Sequence, residues 1–103
     1  MRITGSEAAE KVRSNPDKYV LLDVRTPAEY RQLRVKGSLN ADFYNGFDRQ
    51  VEKLDKSKTY IVFCASGGRS QAAVGFMRQK GFDAYNAGSV GELIQAGLEY
   101  ERG

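Results

Sequence analysis

The sequence contains no histidine, no tryptophan and only one cysteine among its 103 residues. Without an imidazole there is no Ser-His-Asp or Cys-His hydrolase, and a zinc enzyme is disfavoured because histidine is a principal zinc ligand. A single cysteine excludes an internal disulfide and any two-thiol redox motif within the chain. Any chemistry at that residue, Cys64, therefore proceeds without an imidazole base.

Long apolar runs and blocks of like charge are also missing. The longest apolar run, Tyr60 to Ala65, is far too short to cross a membrane, and no signal-peptide pattern opens the chain. The net charge of +3 is spread along the sequence, without the basic block typical of nucleic-acid binding. We therefore expect one cytoplasmic domain, residues 1–103, with neither nucleic-acid nor membrane partners. The mild positive charge favours a small anionic ligand.

Nearly continuous apolar segments alternate with segments of helical pattern. Tyr19 to Val24 and Tyr60 to Cys64 are typical of strands buried on both faces of a parallel sheet. Thr26 and Glu29 form a capping box that opens a helix carrying Tyr30 and Leu33 and ending before Gly37. Further helices are predicted at 6–13, 47–54, 69–80 and 90–95, and further strands at 2–4, 38–41 and 82–86. This alternation predicts an α/β domain whose mostly parallel sheet has helices on both faces.

A loop of small residues follows Cys64 at the end of the second apolar strand. Ala65, Ser66, Gly67 and Gly68 lead to Arg69 and Ser70 at the start of a predicted helix. Ligands bind at this edge of α/β sheets, and a glycine-rich turn before a helix forms a concave site for negative charge. The same dipoles should lower the pKa of the Cys64 thiol from its ordinary value of about 8.5. A thiolate of this kind can attack without a base, and leaving groups that are stable anions need no general acid.

Each residue of this loop also has a purely structural interpretation. Free cysteines are often buried in cores, so Cys64 alone would be read as the end of a core strand. The surrounding Ser-Gly-Gly-Arg-Ser sequence favours a reactive thiol, because an ordinary strand-to-helix turn does not require it. Arg69 could be a solvated arginine at a helix start. Tyr44 and Phe47 could pack in the core or wall the pocket.

Asp23 and Arg25 follow the first long strand and reach the same sheet edge as Cys64. They could be catalytic, but an architectural role is the simpler interpretation. Arg25 and Glu29 are near enough in sequence to pair across the helix start.

Two segments, Leu21 to Tyr30 and Cys64 to Ser70, together resemble the signatures of the single-domain rhodaneses, which are sulfurtransferases. The resemblance spans nearly the whole chain, including the segment Gly88 to Gly97. It implies a rhodanese-like domain with a central five-stranded parallel sheet flanked by helices. Residues 33–38 read Leu-Arg-Val-Lys-Gly-Ser, where many members carry Gly-His-Ile-Pro-Gly-Ala.

The resemblance also implies an activity. Cys64 would take a sulfane sulfur from a donor such as thiosulfate, forming a persulfide, and pass it to cyanide or to a thiol or protein acceptor. The persulfide would be held by the amides of the loop, which are those of Ala65, Ser66, Gly67, Gly68, Arg69 and Ser70. Arg69 would favour an anionic donor, while Asp23 and Arg25 would support the site. No metal or organic cofactor is implied.

Two other functions fit a cysteine loop that ends in arginine. Phosphatases and arsenate reductases use similar loops, but theirs are one residue longer between cysteine and arginine. The four residues between Cys64 and Arg69 predict a tighter cup, better suited to one sulfur atom than to a tetrahedral oxyanion. The second alternative is a persulfide carrier or sensor that docks to a partner protein, for which the same loop would serve.

Overall fold

The structure is a computed structural model that describes residues 1–103. Its helices are α1 (Gly5–Ser14), α2 (Pro27–Gln32), α3 (Phe47–Glu52), α4 (Gly68–Gln79) and α5 (Val90–Gln95). Its strands are β1 (Tyr19–Asp23), β2 (Leu33–Val35), β3 (Leu39–Asn40), β4 (Thr59–Cys64), β5 (Asp83–Ser89) and β6 (Tyr100–Arg102). The predicted α/β alternation is confirmed. No helix has both the length and the hydropathy that crossing a membrane would require.

The central sheet has four parallel strands in the order β3-β1-β4-β5, so the expected count of five is wrong. The segment expected to be the fifth strand makes only one bridge, between Arg2 and Asn86. The reason lies at Thr4, whose side chain accepts a hydrogen bond from the Glu7 amide and caps α1. Because that helix begins at Gly5, the chain turns away before a strand can extend.

A second, two-stranded sheet was not predicted. The short strands β2 and β6 pair antiparallel, with Val35 opposite Tyr100 and Leu33 opposite Arg102. The first of them replaces the end of the helix that was expected to carry Leu33 and to end before Gly37, because α2 ends at Gln32. Both strands have only three residues and their partners are far apart in sequence, so no local periodicity reveals them.

Helices cover both faces of the central sheet, as predicted. On one face α3 and α4 enclose the larger core cluster, to which they contribute Phe47, Val51, Ala73, Val74 and Met77. On the other face α1 and α5 enclose a second cluster, to which they contribute Ala8, Val90 and Leu93. Every residue of β4 is buried between these two layers. The strand that ends in Cys64 is therefore fixed in the middle of the domain.

Parallel pairing brings the ends of three strands to one edge. In the register of β1 and β4, Asp23 lies opposite Phe63, so Cys64 follows one residue beyond the end of β1. On its other side Cys64 lies opposite Ser89, the last residue of β5. The polar residues that follow these strands therefore meet around the Cys64 loop.

Candidate functional site

The loop after Cys64 folds back over the sulfur. Cys64 is the last residue of β4 and is fully buried, and α4 begins at Gly68 after a turn of only three residues. Gly67 makes this turn with a φ of 99°, in the left-handed region that favours glycine. Its N–H group donates to the Cys64 sulfur at an N···S distance of 3.0 Å. The loop thus presents a backbone donor directly to the thiol.

Ser70 supplies the second contact to the sulfur. Its hydroxyl oxygen lies 3.4 Å from the Cys64 Sγ, from the first turn of α4, where Ser70 is fully buried. The residue at the N-cap position of α4 is Gly67, and the hydroxyl of Ser70 donates to the Gly67 carbonyl oxygen at 3.1 Å. A hydroxyl in that position faces the thiol rather than the free amides of the helix.

These contacts shift the pKa of Cys64. Burial raises the pKa, because it disfavours the thiolate, but four hydrogen bonds lower it and prevail. They come from the Ser70 hydroxyl and from the backbone amides of Ser70, Ser66 and Gly67. The pKa of the thiol is therefore below its ordinary value, in the direction expected from a helix N-terminus.

The side chain of Asn86 on β5 binds the loop by hydrogen bonds to Ser70 and Gly67. Its side-chain oxygen accepts hydrogen bonds from the Ser70 hydroxyl at 2.7 Å and from the Gly88 amide at 2.9 Å. Its side-chain nitrogen donates to the Gly67 carbonyl at 3.3 Å. Sequence reasoning missed this residue, although an asparagine at the end of the predicted strand 82–86 was a usable signal, since asparagine is depleted in strands.

The guanidinium of Arg69 forms an ion pair with Glu29 on α2. Its two terminal nitrogens donate to the two carboxylate oxygens of Glu29, at 2.8 and 3.1 Å. The predicted capping box is also present, and it holds the same carboxylate against Thr26. The predicted pair of Arg25 with Glu29 is therefore wrong, because the capping box turns Glu29 toward the loop.

Arg25 pairs instead with Asp23, and both side chains are almost completely buried. The guanidinium binds both carboxylate oxygens of Asp23 at 2.8 to 3.0 Å and also donates to the Leu33 carbonyl. Asn40 then donates to the carbonyls of Asp23 and Arg25 at 3.0 and 2.9 Å. The pair fastens the end of β1 to β2 and β3, which favours the architectural interpretation of both residues.

Comparisons with known proteins identify the family of this chain. The profile of the Rhodanese-like domain family matches residues 6–90. The chain belongs to this family. A rhodanese-related protein from Thermoplasma volcanium has a crystal structure that is 30% identical, with a TM-score of 0.79, covering 97% of this chain and 96% of that one.

Two curated relatives of the rhodanese-like domain bear functional names. A tRNA sulfurtransferase from Pyrobaculum aerophilum is 29% identical over 90% of this chain, and a sulfurtransferase from Allochromatium vinosum is 26% identical over 75% of it. The chain spans about a fifth of the first relative, 19% of its length, and 71% of the second. Because one name includes tRNA, the comparisons do not support the expectation that no nucleic acid is involved.

Two aromatic residues, Tyr44 and Phe47, were candidates for the pocket wall, and the structure places them in different environments. Phe47 packs in the core between Phe43 and Phe76. Tyr44 is 70% exposed and lies under the guanidinium of Arg69, 5.6 Å from the ring centroid. Only Tyr44 therefore stands at the rim of the site in the rhodanese-like domain.

A depression of about 450 Å³ adjoins the loop on the other side. It is lined by Met1, Arg2, Ser66, Gly67, Gly68, Gln71, Val74 and Asn86. Arg2 of this lining pairs with Glu92 close to Gly88, where a Cβ atom would lie 2.4 Å from the Arg2 guanidinium and 2.3 Å from the Glu92 carboxylate. No group of three or more acidic, histidine or cysteine side chains is placed to hold a metal ion.

Proposed function

We propose that this rhodanese-like domain is a sulfurtransferase that moves a sulfane sulfur through a persulfide on Cys64. The observation that carries the proposal is the set of donors converging on the Cys64 sulfur, namely the Gly67 amide at 3.0 Å and the Ser70 hydroxyl at 3.4 Å. Donors in this arrangement stabilise a thiolate without an imidazole. Cys64 is the only cysteine and its thiol is free, as is typical of proteins in a reducing compartment. We therefore also propose a cytoplasmic location.

With thiosulfate as donor, the first step is attack by the Cys64 thiolate on the outer sulfur of the anion. A sulfur–sulfur bond to Cys64 forms, the bond between the two sulfurs of thiosulfate breaks, and the electron pair of that bond leaves with sulfite. Because sulfite is a stable anion, the step needs no general acid. The product is a persulfide anion on Cys64.

In the second step an acceptor attacks the outer sulfur of the persulfide. Cyanide would leave as thiocyanate, and the Cys64 thiolate would be restored by the electron pair of the broken bond. A thiol or a protein thiolate would take the sulfur in the same way. Between the steps the amides of the loop, residues 65–70, would hold the negative outer sulfur as they hold the thiolate.

A persulfide carrier is the second candidate. The relative named tRNA sulfurtransferase is about five times longer than the matched region, since this chain spans 19% of it. A domain of this kind could hand its sulfur to another protein or domain, and an RNA could be the final acceptor. The chemistry at Cys64 would be the same, but turnover with small acceptors would be slow.

Intact-protein mass spectrometry after incubation with thiosulfate tests the proposal. The wild type should gain one sulfur atom, cyanide should remove it, and Cys64→Ser should gain none. Failure of the wild type to take up sulfur from thiosulfate or from a low-molecular-weight persulfide would refute it. Rapid thiocyanate production identifies an enzyme in its own right, whereas a persulfide that forms but turns over slowly identifies a carrier. Hydrolysis of an aryl phosphate that depends on Cys64 would establish the phosphatase alternative instead.

A further inference from the structure

Three arginines lie at the edge of the sheet that carries the Cys64 loop, and each is paired with a carboxylate. Arg25 binds Asp23 in the interior, Arg69 binds Glu29 beside the loop, and Arg2 binds Glu92 beside the depression. The last of these is the most exposed pair, with about half of the Arg2 side chain accessible. The positive charge expected to attract an anionic donor is therefore compensated at each position.

The pair beside the loop, Arg69 with Glu29, is the tighter of the two that reach the surface. Both carboxylate oxygens of Glu29 accept from Arg69, and one of them also accepts from the Thr26 amide and hydroxyl at 3.1 Å. The hydrogen bonds from Arg69 are the main cause that lowers the pKa of Glu29 to about 2, and those from Thr26 add to it, although partial burial raises the pKa. The carboxylate is thus ionised at neutral pH, and the pair has no net charge.

We infer that Glu29 determines which donor charge the site prefers, by neutralising the one guanidinium of the Cys64 loop. With Arg69 compensated, the attraction for a donor comes from backbone dipoles alone, which supply only partial charge. A dianion such as thiosulfate then gains little over a monoanion that delivers its sulfur by the same chemistry. The inference rests on the proposed sulfurtransferase function and assigns its selectivity to a residue outside the loop.

Two donors separate charge from chemistry. Thiosulfate is a dianion, and methanethiosulfonate is a monoanion with the same sulfonyl-bound outer sulfur. Attack by the Cys64 thiolate on either one forms the same persulfide anion. The bond that breaks is the sulfonyl-to-sulfur bond, and its electron pair leaves with sulfite or with methanesulfinate. The two reactions therefore differ mainly in the charge that approaches Arg69.

The test is the variant Glu29→Gln, which frees the charge of Arg69 and keeps the helix start. Glutamine serves at the third position of a capping box and can still accept from Arg69. We expect kcat/KM for thiosulfate to rise about fivefold and that for methanethiosulfonate only about twofold. The reason is that the freed charge of Arg69 attracts the dianion about twice as strongly as the monoanion. High salt should remove most of this difference, since it screens the freed charge.

The matched control is Glu7→Gln, which makes the same chemical change in the capping box of α1. Glu7 has no arginine partner, and its carboxylate is held by Thr4 alone. This variant should leave the ratio of the two kcat/KM values unchanged. If Glu29→Gln changes kcat/KM by the same factor for both donors, so that their ratio stays as in the wild type, the inference is overturned.

A measurement on the wild type does not depend on folding of the variant. If the pair is neutral, kcat/KM for thiosulfate should fall only slightly as salt is added, because the pair adds no net charge near the sulfur and only the dispersed net charge of +3 is screened. A steep fall for thiosulfate and a shallow one for methanethiosulfonate would overturn the inference while leaving persulfide formation intact. If neither donor loads Cys64 in any variant, the proposed function fails and the inference falls with it.

Discussion

The hydroxyl of Ser70 lies 2.7 Å from the side-chain oxygen of Asn86 and 3.4 Å from the sulfur of Cys64. A serine hydroxyl has one proton, so it can donate to only one of these two atoms at a time. When Cys64 is a neutral thiol, the Asn86 oxygen at the shorter distance is the better acceptor. When Cys64 ionises, the hydroxyl can turn toward the thiolate. The Gly88 amide still donates to the Asn86 oxygen at 2.9 Å, so that oxygen keeps a partner.

Replacing Ser70 with alanine should raise the pKa of Cys64. The reason is that the Ser70 hydroxyl is the foremost of the hydrogen bonds that lower this pKa against the effect of burial. Rates of iodoacetamide alkylation measured across pH should show the midpoint at higher pH than in the wild type. The free energy of unfolding should fall by about 1 kcal/mol, as for the loss of one buried hydrogen bond.

Ser66→Ala is the control for this prediction. Ser66 is exposed and acts on the thiol through its backbone amide, which alanine retains. Its alkylation midpoint should match that of the wild type. A midpoint that does not move in Ser70→Ala would show that the hydroxyl stays with Asn86 when the thiolate forms.

Replacing Arg69 with alanine should reduce the use of thiosulfate without unfolding the domain. The change leaves the Glu29 carboxylate without its partner beside the loop, so the site gains a net negative charge that repels a dianion. We expect kcat/KM for thiosulfate to fall about fivefold. The double variant Arg69→Ala with Glu29→Gln should return close to the wild-type value, because its net charge is again zero. If the double variant is as slow as the single one, Arg69 itself contacts the donor.

Acid should weaken the domain partly through Glu29. Its pKa is about 2 in the folded protein, chiefly because of Arg69, whereas the ordinary value is 4.5. A carboxyl with a depressed folded pKa stabilises the fold above its unfolded pKa, and that contribution is lost as the pH falls toward the folded pKa. The stability difference between the wild type and Glu29→Gln should therefore be constant above about pH 5 and shrink between about pH 4.5 and 2.

Urea unfolding at a series of pH values measures this difference. In an Arg69→Ala background the main cause of the low pKa is absent, so the pH dependence should be weaker. A difference that is unchanged from pH 5 to pH 2 would show that the ion pair does not form in solution.

Replacing Asp23 with asparagine should strongly destabilise the fold. The guanidinium of Arg25 would remain buried without its counter-ion, which typically costs about 3–5 kcal/mol. Thermal unfolding should show a melting temperature lower by roughly 12 °C or more. Asp23→Leu combined with Arg25→Met should recover much of the loss, because a buried pair can be replaced by apolar residues of similar size. A folded Asp23→Asn protein that cannot form the persulfide would instead indicate a direct role in the chemistry.

Local sequence patterns predicted the parts of the site that depend on neighbouring residues. The apolar run before Cys64 and the glycines after it were enough to predict strand, turn and helix, and Thr26 and Glu29 were enough to predict a capping box. All these relationships lie within a few residues along the chain. Their geometry is dictated by backbone sterics and hydrogen bonding, which act at short range.

The parts that were missed join distant segments. Arg69 and Glu29 are 40 residues apart, and Ser70 and Asn86 are 16 apart. Arg25 had two candidate carboxylates within four residues, and only the packed structure shows that Asp23 is the partner. The strand lost from the central sheet follows the same logic, since hydrogen bonding at Thr4 favoured a helix over continued pairing. Competition between partners is settled by tertiary structure rather than by sequence pattern.

The capping box of α2 makes one side chain serve two purposes. Glu29 satisfies the free amide at the start of the helix, and the same carboxylate compensates Arg69. Only glutamate and glutamine suit the third position of a capping box. Two residues at position 29 therefore keep the helix start. With glutamate the loop is neutral, and with glutamine the loop carries the positive charge of Arg69. A single conservative exchange would retune the domain for a differently charged sulfur donor while every residue from Cys64 to Ser70 stays the same.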